Sequence, residues 1–445
     1  MTHVFHRHLK VDPPTVASGD GIYLIDTNGK RYLDGSGGAA VSCLGHSDAD
    51  VIAAIKAQAD KICFAHTSFL TSEPAEKLAD LLISKAPAEI SSVYFVSGGS
   101  EAVEAALKLT RQYFLEIGQP SRTRFIARLQ SYHGNTLGAL GVGGNAARRE
   151  PFKKLLAKSS HISPCYAYRL QNDDESEEEY AIRAANELET EILRLGPENV
   201  AAFIAETVGG ATAGVIPPAR GYFKRIREIC DQYGVLLILD EVMCGMGRTG
   251  TTFACEQDGI APDIVTIAKG LGAGYQPIGA TLAVGKIHDA IRDGSGFFQH
   301  GHTYLGHPIA CAAALAVQNK IDSYDLLQNV NAMGDEFDRQ LLDRFGNHSN
   351  VGDIRGRGLF RGIELVADRA TKETLDPAFK THAVIKQQAM EQGLICYPSG
   401  GTADGKRGDH ILLAPPFIIS ADQISELVDK LGKAIDISLS QIGLP

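Results

Sequence analysis

Two apolar runs between Val235 and Ala280 constrain this chain more than anything else in it. VLLILDE (Val235 to Glu241) delivers Asp240 at its end, and DIVTIAKG (Asp263 to Gly270) delivers Lys269. Aliphatic, β-branched runs of this length bounded by glycine read as strands buried on both faces, the pattern of a parallel sheet. Open α/β sheets bind ligands outside the carboxyl ends of their strands. Two opposite charges brought to that rim point to a site and away from a structural ion pair.

Taken in order, the chain alternates strands and helices. Gly21 to Gly35 alternates apolar and polar residues around Asn28-Gly29, a hairpin signal. Ser36 to His46 is too glycine-rich for regular structure and reads as a loop, and Asp48 to Lys61 has apolar residues at helical spacing. A strand at Ser92–Gly98 then runs into SGGSEAVEAALKLTR, where Ser100 occupies the expected N-cap of a helix with Val103, Ala106, Leu107 and Thr110 on one face. Strand, glycines and helix N-terminus make an anion site, because free N–H groups point outward there; a tight βα turn has the same sequence. The strand Arg124–Leu129 ends at Tyr132, His133 and Gly134, which read either as packing or as a flat face for a planar ligand. After the acidic run QNDDESEEE, a surface segment or helix start, come a helix at Tyr180–Arg194, a strand at Val200–Thr207 that places Glu206 at its end, and a helix at Tyr222–Tyr233. This alternation predicts a doubly wound or related α/β sheet. Beyond Tyr304 the composition changes: an Ala-rich helix at Ile309–Ile321, further helix through Phe345, then short strands (Leu359–Val366, Ile411–Leu413) mixed with helices.

Composition excludes several classes. At 445 residues there is room for two or three domains, and a net charge of -10 argues against nucleic acid or an anionic membrane as partner. Eight scattered cysteines without a C-x-x-C pair read as reduced thiols of a cytoplasmic protein and not as disulfides or a metal site. His3, His6 and His8 read as a solvated terminus. No secretory signal and no membrane span is expected.

GMGRTG (Gly245 to Gly250) matches G-x-G-x-x-G and follows a strand. The dinucleotide fingerprint also needs a helix opening inside the glycines, and TTFACEQDG supplies no amphipathic one, so a nicotinamide enzyme is set aside. No G-x-S-x-G elbow is present for a serine hydrolase. Lys269 can be a surface residue, a phosphate binder or a Schiff-base nucleophile. An aldehyde cofactor held by lysine needs a phosphate cradle, an acid near its pyridine nitrogen and a flat ring partner. Gly99-Ser100, Asp240 and Tyr132 offer these, and the set supports pyridoxal 5'-phosphate.

LILDEVMCGMGRTG, DIVTIAKGLGAGYQPIGA and HTYLGHP together resemble class III aminotransferases, as do YLIDTNGKRYLDG, SGGSEAVEAALKL, YHGNT, AETVGG, GLFRGIEL and APPF along nearly the whole chain. The resemblance implies the pyridoxal-phosphate fold type I. A large, mostly parallel-sheet cofactor domain (51–324) would sit beside a smaller α+β domain built from both termini (1–50 and 325–445). It implies that Lys269 forms the internal aldimine and shuttles the proton between substrate and cofactor, that Asp240 pairs with the pyridinium nitrogen, and that Val242 and Tyr132 cover the two ring faces. Gly99, Ser100 and a Thr303 donated by a second subunit would bind the phosphate, making the enzyme a homodimer with shared active sites. His133 and Glu206 would complete the cofactor site.

The substrate positions depart from several relatives. Leu412 and Leu413 stand before Pro415-Pro416 where ornithine-like branches often carry Arg, Asn135 replaces the Arg of HGRT, and the chain has no Trp, with Ala40 at the position where amine:pyruvate enzymes often place one. A substrate carboxylate still needs a cation. Arg407 sits near the mobile arginine of the amine:pyruvate branch, and Tyr23 and Phe69 fall in segments that line the entrance in relatives. The expected activity is a ping-pong transfer of nitrogen from an amino acid or primary amine to a 2-oxo acid, pyruvate before 2-oxoglutarate. A decarboxylating transaminase, an aminomutase and a racemase share the lysine chemistry, and a non-catalytic cofactor-binding regulator is the alternative from another class.

Overall fold

Seven strands stack side by side at the centre of the chain, whose computed structural model describes residues 3–87 and 89–444. Across the sheet they run Ile90–Val96, Gly279–Val284, Ile264–Ile267, Leu236–Asp240, Val200–Glu206, Arg124–Arg128 and Ser160–Ile162. The two runs around Asp240 and Lys269 are thus neighbouring strands, parallel and in register with Asp240 opposite Thr266, and every residue of both is buried. Helices Gly99–Glu116, Glu177–Leu195 and Tyr222–Tyr233 lay their apolar sides on the sheet in one continuous core. All strands are parallel except Gly279–Val284, which pairs antiparallel with both neighbours. The reason is connection length. Residues 268–278 contain only one short helical turn, and a return in the parallel sense needs a crossover of about a dozen residues or more, usually a helix.

Several local expectations shift. The helix after the first sheet strand begins at Gly99, with extended Gly98 as its N-cap, so Ser100 lies inside the first turn and caps nothing. The helix expected from Tyr180 starts at Glu177, because Ser176 and Glu179 close a reciprocal capping box. Ser36 to His46 is not wholly loop: Gly37–Ala40 forms a single distorted turn.

The hairpin Tyr23–Asp26 with Arg31–Asp34 joins the far end of the chain, because Arg31–Asp34 pairs in parallel with Leu394–Ile395. Antiparallel strands Val351–Arg357, Phe360–Leu365, Asp409–Leu413 and Tyr397–Gly400 form a third sheet. Residues from both ends, among them Ile22, Leu33, Phe337, Leu394 and Leu431, share a second core.

The GMGRTG turn acquires a role its glycines did not suggest. Arg248 is 1% exposed, and its guanidinium donates to the carbonyls of Leu359 (3.1 Å) and Pro415 (2.6 Å) and lies 4.6 Å from the centre of the Phe417 ring. It ties the turn after the Asp240 strand to the C-terminal sheet. Arg248→Ala leaves two carbonyls unpaired around a void. The variant should lose on the order of 3 kcal/mol, measured as a lower urea midpoint at unchanged slope.

Candidate active site

Asp240 and Glu206 end adjacent parallel strands directly opposite one another, at the carboxyl edge of the sheet. Both are buried, at 4% and 6% exposure. Asp240 is held on all sides: one carboxylate oxygen lies 2.8 Å from Nδ1 of buried His133, and the other accepts from the Val242 N–H (3.1 Å) and the Thr266 hydroxyl (3.4 Å). Glu206 accepts from the N–H groups of Gly210 (3.0 Å) and Tyr132 (3.2 Å). Burial is the largest influence on Glu206, and with Asp240 nearby it outweighs the opposing groups, so its pKa is raised.

Lys269 follows the neighbouring strand after a single residue, with a left-handed φ of 46° that is uncommon for a residue with a side chain. That conformation turns the chain sharply at the sheet rim and brings the lysine into the cavity lined by Asp240 and Glu206. Desolvation pulls its pKa down to about 8 despite the opposing pull of these two carboxylates. A lysine with an accessible neutral form is a nucleophile at ordinary pH.

The third wall is the N-terminus of helix Gly99–Glu116. A Cβ on Gly99 would come within 2.7 Å of a Val242 methyl carbon, so the helix start and the turn after Asp240 approach as only glycine allows. Gly134, at φ 135°, has equally little room: a Cβ there would sit 2.7 Å from the Ser100 hydroxyl. This brings Asn135 to donate its N–H to Ser100 Oγ at 3.0 Å. The first-turn N–H groups of an α-helix have no partner within the helix, which makes this corner suited to an anion.

These groups share one cavity of about 430 Å³, also lined by Tyr132, Val208, Ala211, Met243, Tyr397, Arg148 and Arg7. Of the thirteen residues singled out from sequence, Lys269, Asp240, Tyr132, His133, Glu206, Gly99, Ser100 and Val242 line it. The other five do not. Thr303 is exposed on a separate hollow of about 640 Å³ with His66, Tyr94 and His302. Ala40 is buried behind the wall, where its neighbour Ala39 takes the lining position. Tyr23 belongs to the second core and donates its hydroxyl to Glu426 at 2.7 Å, Phe69 is 85% exposed, and Arg407 turns to Asp404 at 2.7 Å. Arg148, Arg7 and Tyr397 went unread. Each lies outside the strand–glycine–helix segments, and only the fold brings it to the rim.

A family model for class III aminotransferases matches residues 7–435. The chain is 48% identical over 434 residues to an uncharacterized aminotransferase of Schizosaccharomyces pombe, covering 97% of this chain and 95% of that one. It is 36% identical to a chloroplastic gamma aminobutyrate transaminase 3 of Solanum lycopersicum, covering 96% and 81%. An amine transaminase from an uncultivated Pseudomonas species, solved in its PLP-bound form, superposes with a TM-score of 0.92 at 37% identity over 98% of this chain and 99% of that one. The chain belongs to the class III aminotransferases and has their pyridoxal-phosphate fold.

Enzymes of this class depend on pyridoxal phosphate, and the residues present fit it. A buried carboxylate, a lysine amine, an aromatic ring and a helix N-terminus converge on one cavity. His133 also keeps a buried Nε2 without a hydrogen-bond partner among the described residues, an unspent polar atom on the ring that contacts the Asp240 carboxylate. Among the described residues no helix is long and apolar enough to cross a membrane.

Proposed function

We propose that this aminotransferase moves nitrogen from an ω-amino acid or primary amine to pyruvate in a ping-pong cycle centred on Lys269. The observation that carries the reading is the single cavity holding a lysine of lowered pKa, a buried carboxylate–imidazole pair and a helix N-terminus. When bound, pyridoxal phosphate supplies an electrophilic carbon and a ring that accepts electrons from the substrate α-carbon. The protein does the rest. Lys269 would hold the cofactor through Nζ, and its amine, when free, would take and return the α-carbon proton. Asp240, oriented by His133, Val242 and Thr266, would keep a proton on the ring nitrogen. Tyr132 and Val242 would cover the ring faces, and Gly99 and Ser100 would hold the phosphate. Glu206, its pKa raised and its two oxygens tied to backbone N–H groups, fixes the loop that carries Tyr132.

Thr303 completes the phosphate site from a second copy of the chain. Its place outside its own cavity supports this, as do the exposed side chains near it, Phe297 (63%) and Tyr304 (61%), which a dimer would cover. Sedimentation should therefore give twice the mass of the 47.6 kDa chain.

The donor assignment rests on relatives that act on amines and on gamma aminobutyrate, and on the absence of an arginine before Pro415. Purified enzyme given pyruvate and a donor panel should form alanine. Nitrogen transfer to 2-oxoglutarate alone would overturn the pyruvate assignment.

A further inference from the structure

The cavity has a polarity that the cofactor does not use up. Its two carboxylates, Asp240 and Glu206, are buried beside Lys269, whereas its two arginines, Arg148 (half-buried) and Arg7 (exposed), stand toward solvent. Arg148 is built into place. The short helix Ala146–Arg149 that carries it is capped by Asn145, whose side chain accepts the Arg148 N–H at 3.1 Å. Its guanidinium carbon lies 4.8 Å from the centre of the Tyr132 ring. Among the described residues the guanidinium has no carboxylate partner. Arg407, by contrast, is committed to Asp404 and points outward.

We infer that Arg148 is the specificity-determining cation of the cavity, recognising the carboxylate of the amino acid or 2-oxo acid substrate from its seat on Tyr132. A guanidinium stacked on a ring keeps its N–H edge free for a bidentate carboxylate, and a half-desolvated site strengthens that pairing. The cofactor phosphate has its own anion corner at the Gly99 helix start, so the unpaired cation is left for the substrate. Arg7 adds positive charge at the entrance. The inference rests on the aminotransferase reading and narrows it: carboxylate-bearing substrates are preferred over plain amines.

The test compares 4-aminobutanoate with 1-aminobutane as donors to holoenzyme, following single turnovers through cofactor absorbance. Arg148→Gln should raise the half-saturating concentration of 4-aminobutanoate by about ten- to a hundredfold and change that of 1-aminobutane by less than about twofold. Arg148→Lys, which keeps the charge and loses the fork, should fall between. Equal losses for both donors would overturn the idea by making Arg148 a positioning residue for Tyr132. Loss of cofactor retention would assign it to the phosphate, and no change would leave it without a role; either result also overturns the inference. So would an Arg407→Gln variant showing the selective loss in its place. Wild-type holoenzyme inert toward every donor and oxo acid would instead sink the aminotransferase reading. Calorimetric titration with butanoate then still decides the carboxylate site: binding about tenfold weaker in Arg148→Gln supports it, and equal binding overturns it.

Discussion

Replacing Lys269 with alanine should lower the transamination rate about a thousandfold or more while leaving the protein folded. The two duties proposed for Lys269 vanish together, the covalent hold on the cofactor and the proton transfer at the substrate carbon, and positioned acid–base groups alone contribute roughly a hundred- to ten-thousandfold. Folding should survive because Lys269 makes no side-chain hydrogen bond or ion pair among the described residues, its amine being desolvated. Borohydride treatment followed by mass spectrometry should find the cofactor mass on the Lys269 peptide of the wild type and nowhere in the variant. Retained transamination at the wild-type rate would remove the central claim.

The environment of that lysine also predicts a pH dependence. With a pKa of about 8, roughly a tenth of the amine is neutral at pH 7, against about one part in three thousand for an ordinary lysine at 10.5. Covalent uptake of cofactor by apoprotein should therefore rise with pH and level off above about 8, about two and a half units earlier than a solvated lysine would. The linkage to stability has a definite sign. A folded-state pKa below the unfolded one means that the unfolded chain binds more protons between about 8 and 10.5, so this group makes the apoprotein more stable as pH rises through that window.

What was legible from sequence was whatever depends on local order along the chain. Strand ends marked by charge and glycine located Asp240, Lys269, Gly99 and Tyr132, because a sheet rim gathers residues that are far apart in sequence but alike in local context. The antiparallel strand Gly279–Val284 lay beyond that reading, since its apolar pattern is the same in either direction and only the short connection after Lys269 sets its sense. Arg248 was hidden for a related reason: its partners are the carbonyls of Leu359 and Pro415, more than a hundred residues away, and carbonyls carry no sequence signal. The substrate positions were the least legible. Tyr23, Phe69 and Arg407 came from alignment to relatives, and this chain places them outside the cavity; Arg148 reaches it because an Asn-capped turn happens to end beside Tyr132.

The second large effect is expected at Asp240. Asp240→Asn preserves the shape of the side chain and can still accept the His133 Nδ1–H, but it carries no charge to hold a proton on the ring nitrogen. Its transamination rate should fall roughly a hundred- to a thousandfold, with little loss of stability. Asp240→Ala should match that rate loss and also lower the urea midpoint, because it deprives His133, Val242 and Thr266 of a common acceptor in a buried place. The two explanations for the lost rate can be separated at Lys269. Asp240 raises the pKa of that lysine, so neutralising it lowers the pKa further and enlarges the fraction of reactive amine. The pH inflection for cofactor uptake should thus move below 8 in Asp240→Asn even as transamination collapses. A variant that lost rate with its inflection moved upward would put Asp240's effect on the lysine and not on the ring nitrogen, and would overturn its assigned role.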